Sequence, residues 1–108
     1  MMTTLYRAVS QQEKKDIDLN KVFRTGRNTL EAKQFFKRRI SVMQFVANSV
    51  VQQYDPIYAH LIIVGIDDTC FDSAGHTQKL DGYDAVHIEE EDLQAFNNCV
   101  KFVRQETL

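Results

Sequence analysis

The sequence predicts an α+β fold, and three observations carry that expectation. Tyr58–Ile66 (YAHLIIVGI) is apolar on both faces and reads as a central strand. Between Arg39 and Tyr54, residues Ile40, Met43, Val46 or Ala47, Val50 and Tyr54 recur at spacings of three and four, and Val42, Phe45 and Ser49 widen the stripe, so this is the main helix. Shorter strand-like and helix-like segments flank these two in the order β-α-β-β-α-β-β-α-β, which implies mixed or largely antiparallel sheets with one main helix and two or three short ones. The 108 residues fit a single domain spanning 1–108, and 44% hydrophobic with 26% charged residues gives a modest core and excludes a disordered chain.

Each element has its local reason. Leu5–Val9 is β-branched and aromatic enough for a first strand, with Arg7 in its middle. Ser10 reads as a helix N-cap with Glu13 three residues on, the pattern of a capping box, and Gln11–Leu19 follows as a polar surface helix. Val22-Phe23 is a brief extended piece and Thr25-Gly26-Arg27-Asn28 a turn. Thr29–Lys33 admits a helix start, whereas Gln34-Phe35-Phe36 favours a short strand. Alternation on that strand sets Lys33 and Phe35 on one face and Gln34 and Phe36 on the other. Asp55-Pro56 ends the main helix, because the residue before proline is pushed out of the helical region. Asp67–Leu80 reads as a long loop, Tyr83–Ile88 as a strand, Glu89–Phe96 as a short helix with acids at the positive end of its dipole, and Cys99–Arg104 as a half-buried final strand.

The expected core comprises Leu5, Val9, Phe36, Ile40, Met43, Val46, Val50, Leu61, Ile63, Val86, Ile88, Leu93, Phe96, Val100 and Phe102.

Charge is uneven although the net value is −2. Lys21 to Arg39 holds seven bases against one acid, and Asp55 to Phe96 ten acids against one base. The two halves either neutralise each other across the fold or leave a basic patch for a phosphate-bearing ligand or an acidic partner. Nothing global points to nucleic acid or to a membrane. Met1–Ser10 lacks an apolar run with a cleavage site, and no stretch approaches the roughly 20 apolar residues that span a bilayer. Cys70 and Cys99 match no metal spacing, and a cytoplasmic protein with two free thiols is the expectation. His60, His76 and His87 form no metal set either, and His60 is expected to be packed in its strand. Of the three, His87 has electrostatic company in the acids that follow it. The run Glu89–Asp92 lacks the alternating ligands and glycine of a calcium loop.

The opening "LYRAVS", then a polar helix and "FRTGRNTLEAKQFF", and the closing "YDAVHIEEEDLQAFN" are similar to the corresponding segments of small bacterial and phage domains with an ADP-ribosyltransferase-like fold. The resemblance covers most of the chain in its order of elements. It implies NAD bound in a cleft between two small sheets. It also implies an arginine on the first strand that orients the phosphates or the nicotinamide ribose, a Ser/Thr at a second strand, and a glutamate near a late strand that holds the ribose 2′-hydroxyl. An arginine suits the first task because its planar fork pairs two oxygens at once. An acid suits the last because positive charge develops on the sugar as nicotinamide leaves.

Carried over to this chain, Arg7 matches the arginine, with Ser10 after it. The Ser/Thr position falls near Lys37 and Arg38, with Ser41 a few residues later, and the glutamate position falls at Asp84, with Glu89 as the first true glutamate. These departures imply a degenerate domain that binds a protein partner or a nucleotide-like ligand without efficient catalysis. The alternative is an active NAD-dependent mono-ADP-ribosyltransferase using Arg7 and a displaced acid. The basic junction adds one more expectation: Arg7 and at least one of Lys37, Arg38 or Arg39 line a common anion-accepting surface, unless these bases face the acids of Asp67–Asp92 as exposed pairs.

Overall fold

The structure is a computed structural model that describes residues 2–20, 23, 33–51, 58–80 and 82–108. The turn expected at Thr25–Asn28, the stretch Thr29–Ala32, Val22, Tyr54 and the helix end at Asp55-Pro56 lie outside the described residues. Among the described residues the strands and α-helices follow in the order β1 (Met2–Val9), α1 (Gln11–Asn20), β2 (Lys33–Phe36), α2 (Arg39–Val51), β3 (His60–Asp67), β4 (Thr77–Leu80), β5 (Tyr83–Ile88), α3 (Leu93–Asn98) and β6 (Val100–Thr107). The expected α+β class holds, but the described strands join in one sheet, where the resemblance implied a cleft between two small ones.

Among the described residues the strands form one six-stranded sheet in the order β4-β5-β2-β1-β3-β6, and every pairing is antiparallel. β3 is an inner strand with six consecutive buried residues, Leu61–Ile66, because both its faces are covered. It templates its neighbours along its whole length, from Met2 opposite Asp67 to Val9 opposite His60, and from Ile66 opposite Val100 to His60 opposite Thr107. That pairing extends β1 back to Met2 and β6 on to Thr107, beyond the bounds Leu5 and Arg104 that side-chain propensity suggested. His60 ends the strand half-buried, its Nε2 2.5 Å from the Gln11 Oε1.

The segment expected as a continuous loop, Asp67–Leu80, contains a 3-10 turn (Ala74–His76) and β4. β4 is polar and half-exposed, so it carries no hydrophobic pattern, and its partner makes it a strand. Leu80 pairs with Tyr83 across a two-residue connection in which Gly82 has φ 85°, the left-handed conformation that such hairpins favour. The Asp81-Gly82 dipeptide was the readable signal.

Alternation divides the core into two layers. Leu5 and Val9 of β1, Phe35 of β2, Ile62, Val64 and Ile66 of β3, and Val86 and Ile88 of β5 share one layer with Ile17 of α1 and Leu93 and Phe96 of α3. Its centre is aromatic: the Phe35 ring lies 5.1 Å from Phe23 and 4.8 Å from Phe96, and Phe71 lies 5.3 Å from Phe96. Asn97 holds Phe23 there by its backbone, accepting the Phe23 N–H at 2.9 Å and donating to its carbonyl at 2.8 Å. The opposite face of the sheet carries Ala8, Phe36, Leu61, Ile63 and Ala85 under Val42, Phe45 and Val46 of α2.

α2 is rotated from the face that the sequence suggests. Ile40 is 53% exposed, Met43 42% and Val50 71%, whereas Ser41, Val42 and Ser49 are buried. The helix is apolar on more than one side, so periodicity alone could not choose. The sheet selects the stripe Val42, Phe45, Val46, Ser49, also at spacings of three and four, because Phe45 fits beside Phe36 (5.2 Å) and Tyr58 (5.6 Å). Ser49 tolerates burial by donating its hydroxyl to the Val46 carbonyl at 2.7 Å. The other expected core residues are buried, apart from the partly buried Val46, Val100 and Phe102.

The two cysteines are not free. Cys70, in the turn after β3, and Cys99, at the end of α3, form a disulfide across a separation of 29 residues, with Cα atoms 5.6 Å apart. Their spacing in sequence is uninformative. The β3–β6 pairing makes them neighbours, and the Asp67 N–H donates to the Cys99 carbonyl at 3.3 Å beside them.

Candidate functional site

Arg7, in the middle of β1, is met by two residues that the sequence marked for other tasks. Ser10 caps α1 as expected, accepting the Glu13 N–H at 3.2 Å. The Glu13 side chain is turned to the sheet and meets Arg7. Arg7 Nε donates to Oε2 at 2.7 Å and Nη2 to Oε1 at 2.8 Å, a two-pronged pairing. Lys33 Nζ reaches the same Oε1 at 3.2 Å. The third guanidinium nitrogen, Nη1, donates to the Gln34 carbonyl at 3.0 Å and so ties β1 to β2 next to the Tyr6–Phe36 pair. The guanidinium carbon lies 5.8 Å from the centroid of the Phe35 ring.

Local folding explains the convergence. On β1, Arg7 shares the α1-facing side with Leu5 and Val9. β2 runs antiparallel to β1, so Lys33 comes alongside the C-terminal end of β1, on the face of Phe35 as alternation predicts. The first turn of α1 then sets Glu13 over both. All three side chains are largely out of water, at 16%, 19% and 11% exposure for Arg7, Glu13 and Lys33.

Burial alone raises the Glu13 pKa, but the hydrogen bonds and charges of Arg7 and Lys33 outweigh it and hold the carboxyl below its ordinary value. Lys33 moves down as well, because burial and the Arg7 charge disfavour its ammonium more than Glu13, with Asp16 one turn on, supports it.

The other candidate residues fall into separate places. β5 pairs with β2 from Ile88 opposite Lys33 to Ala85 opposite Phe36, so Glu89 lies beyond the Lys33 end of that pairing and Asp84 beyond the Phe36 end, with Arg7 level with Phe35 and Val86 between them. Glu89 is exposed and pairs with His87 at 3.0 Å, whose Nδ1 lies 3.4 Å from the Gln34 amide nitrogen. Asp84 is exposed and pairs with Lys79 at 2.8 Å, and that hydrogen bond holds its carboxyl below the usual range. At about 3.4 Å per residue, the five steps of extended chain from Asp84 to Glu89 put their backbones roughly 17 Å apart, too far to serve one reacting centre.

Lys37 and Arg38 sit at the bend between β2 and α2, and Ser41 is buried in α2. Arg39 belongs to the opposite face from Arg7: it lies 5.8 Å from the Tyr6 ring and makes a two-pronged pair with Glu106 at 2.8 and 2.7 Å. The base that joins Arg7 is thus Lys33, in place of the Lys37, Arg38 or Arg39 expected at the junction.

Sequence reasoning took Glu13 as a capping residue and Lys33 as one of a basic run. The alternation that put Lys33 beside Phe35 was the available signal. The arrangement presents two cations aimed at a pair of anionic oxygens on one face of the sheet, while His87, in register with Gln34, belongs to the other face. Among the described residues no group of His, Cys, Asp and Glu side chains is placed to hold a metal ion. No helix among them is long and apolar enough to cross a membrane. Comparisons with family models, with curated proteins and with solved structures return no match.

Proposed function

We propose that the chain is a degenerate ADP-ribosyltransferase-like domain that binds a nucleotide-like, phosphate-bearing ligand at Arg7 and Lys33 without efficient catalysis. The observation that carries the reading is that both cations, nearly removed from water, converge on the two oxygens of one carboxylate. That is the donor geometry a phosphate group recruits. The resemblance of "LYRAVS" and "YDAVHIEEEDLQAFN" adds NAD or ADP-ribose as the ligand class. The separation of Asp84 from Glu89 and the pairing of both with neighbouring bases weigh against efficient transfer chemistry.

The test is calorimetric titration with ADP-ribose and with NAD. Saturable binding that disappears in Arg7→Ala is the expected result, and no binding by either the wild type or Glu13→Gln rejects the reading. Incubation with labelled NAD and a lysate should leave no Arg7-dependent label. Robust labelling lost in Arg7→Ala and Glu89→Gln makes the chain an active mono-ADP-ribosyltransferase instead.

A protein-partner role is the second reading. It is favoured by the outer face of α2, where Ile40, Met43, Val50 and Val51 are exposed. Sedimentation of the wild type against Val50→Ser/Val51→Ser tests whether that face associates.

A cytoplasmic location is the expectation that went with free thiols. The Cys70–Cys99 disulfide points instead to a compartment where disulfides persist. Alkylation of thiols at the moment of lysis, followed by mass measurement, distinguishes the two.

A further inference from the structure

We propose that Glu13 is a built-in occupant of the anion site: its carboxylate fills the Arg7–Lys33 pair in the empty domain and must swing out before a phosphate or pyrophosphate group can enter. The inference rests on the reading of Arg7 and Lys33 as an anion site, and it adds a regulating element, the first turn of α1, to that site.

Three observations support it. The contacts made to Glu13 are those an anion needs. Two come from the planar fork of Arg7, one to each oxygen, and a third comes from the Lys33 ammonium. A phosphate presents the same pair of oxygens to such a fork. Second, Glu13 can leave without unfolding anything. Its backbone N–H is held by Ser10, and the next turn starts independently with the Lys14 N–H donating to the Ser10 carbonyl at 3.0 Å. Only side-chain torsions separate the carboxylate from the solvent that its 19% exposure already meets. Third, the Arg7 guanidinium stays behind when Glu13 leaves, because it is anchored by Nη1 to the Gln34 carbonyl and lies against the Phe35 ring. The Lys33 ammonium remains tethered to a paired strand beside it, with Asp16 as the nearby acid that still acts on Lys33. A doubly charged phosphate suits that vacancy better than a single carboxylate does.

A site closed by its own side chain binds ligand with an affinity reduced by the fraction of time it is open. Removing the Glu13 charge while keeping its shape should raise affinity by about tenfold or more. The experiment is calorimetric titration with inorganic pyrophosphate, at low salt, of the wild type, Glu13→Gln, Arg7→Ala and the double variant. The expected result is tighter binding in Glu13→Gln and none in either variant lacking Arg7.

Pyrophosphate bound equally by the wild type and Glu13→Gln overturns the gate and leaves the anion site standing. No binding by either, with Glu13→Gln folded by circular dichroism, overturns both. If Glu13→Gln does not fold, the wild type decides by NMR: the Arg7 Nε–H and the Glu13 carboxyl carbon should shift together and saturably as pyrophosphate is added. An Arg7 signal that moves while the Glu13 carboxyl stays fixed overturns the gate alone, and two static signals overturn gate and site together.

Discussion

The Arg7 guanidinium and the Glu13 carboxylate face each other through two parallel hydrogen bonds, 2.7 and 2.8 Å long, joining the first strand to the first turn of the helix that follows it. Breaking one side of a largely buried pair costs about 3–5 kcal/mol in well-buried cases, and here Glu13 would keep only the Lys33 contact, which places the loss at the low end. Arg7→Ala is expected to lose about 3 kcal/mol in urea unfolding. Arg7→Lys should recover less than half of that, because a point charge cannot make the fork or reach the Gln34 carbonyl. Equal stability of the lysine variant and the wild type would show that charge alone matters.

Lys33 should behave differently. Its pKa is lowered, so the folded protein disfavours its charged form, and that penalty is relieved as pH rises toward the ordinary lysine value of 10.5. Lys33→Met removes the buried ammonium while Glu13 keeps both Arg7 bonds. The expected change at neutral pH is within about 1 kcal/mol of zero, in either direction. A loss as large as that of Arg7→Ala contradicts this.

The Glu13 carboxyl gives the fold an acid dependence of known sign. Its folded pKa lies below its ordinary value of 4.5. Its contribution is therefore complete above that value and is lost as pH falls through the folded pKa. Urea midpoints measured between pH 3 and 7, a range chosen to bracket that value, should fall more steeply for the wild type than for Glu13→Gln. Parallel curves would place the acid sensitivity on other carboxylates.

The Cys70–Cys99 disulfide closes a loop of 29 residues' separation, for which the chain-entropy relation gives about 3–4 kcal/mol. Cys70→Ala/Cys99→Ala should lose that much, and a thiol reductant should lower the melting temperature of the wild type but not of the variant. An unchanged wild-type melt after verified reduction refutes the assignment of stability to this bond.

The rotation of α2 and the bare backbone of Gly65 give two packing tests. Val42→Ala should cost about 2–3 kcal/mol, while Ile40→Ser and Val50→Ser stay within about 0.5 kcal/mol. The reverse ranking would restore the face that the sequence suggested. A Cβ on Gly65 would collide with the Phe102 ring and the Met2 methyl, beside the register shift between β3 and β6. Gly65→Ala should therefore cost about 1–3 kcal/mol, and less on a Phe102→Ala background. Additive effects would show that the contact is not the cause.

The sequence by itself determined the elements whose signal is local. Apolar residues on both sides of 61–66 made β3 an inner strand, and Ser10 with Glu13 started α1 where the structure starts it. Alternation put Lys33 on the face of Phe35, and the acids after His87 gave it a partner. Local signals say which residues are paired, capped or apolar. They do not say what comes to lie opposite.

Tertiary structure decided what came to lie opposite. The sheet order brought β2 beside β1 and so put Lys33, in place of Lys37, Arg38 or Arg39, next to Arg7. The contact with Phe36 and Tyr58 chose one of two apolar faces of α2. Pairing with β5 made a strand of the polar β4, and pairing between β3 and β6 brought Cys70 to Cys99 across a spacing that carries no signal. Each of these outcomes depends on which residues share an environment across dozens of positions of chain, and periodicity within a segment holds no information about that.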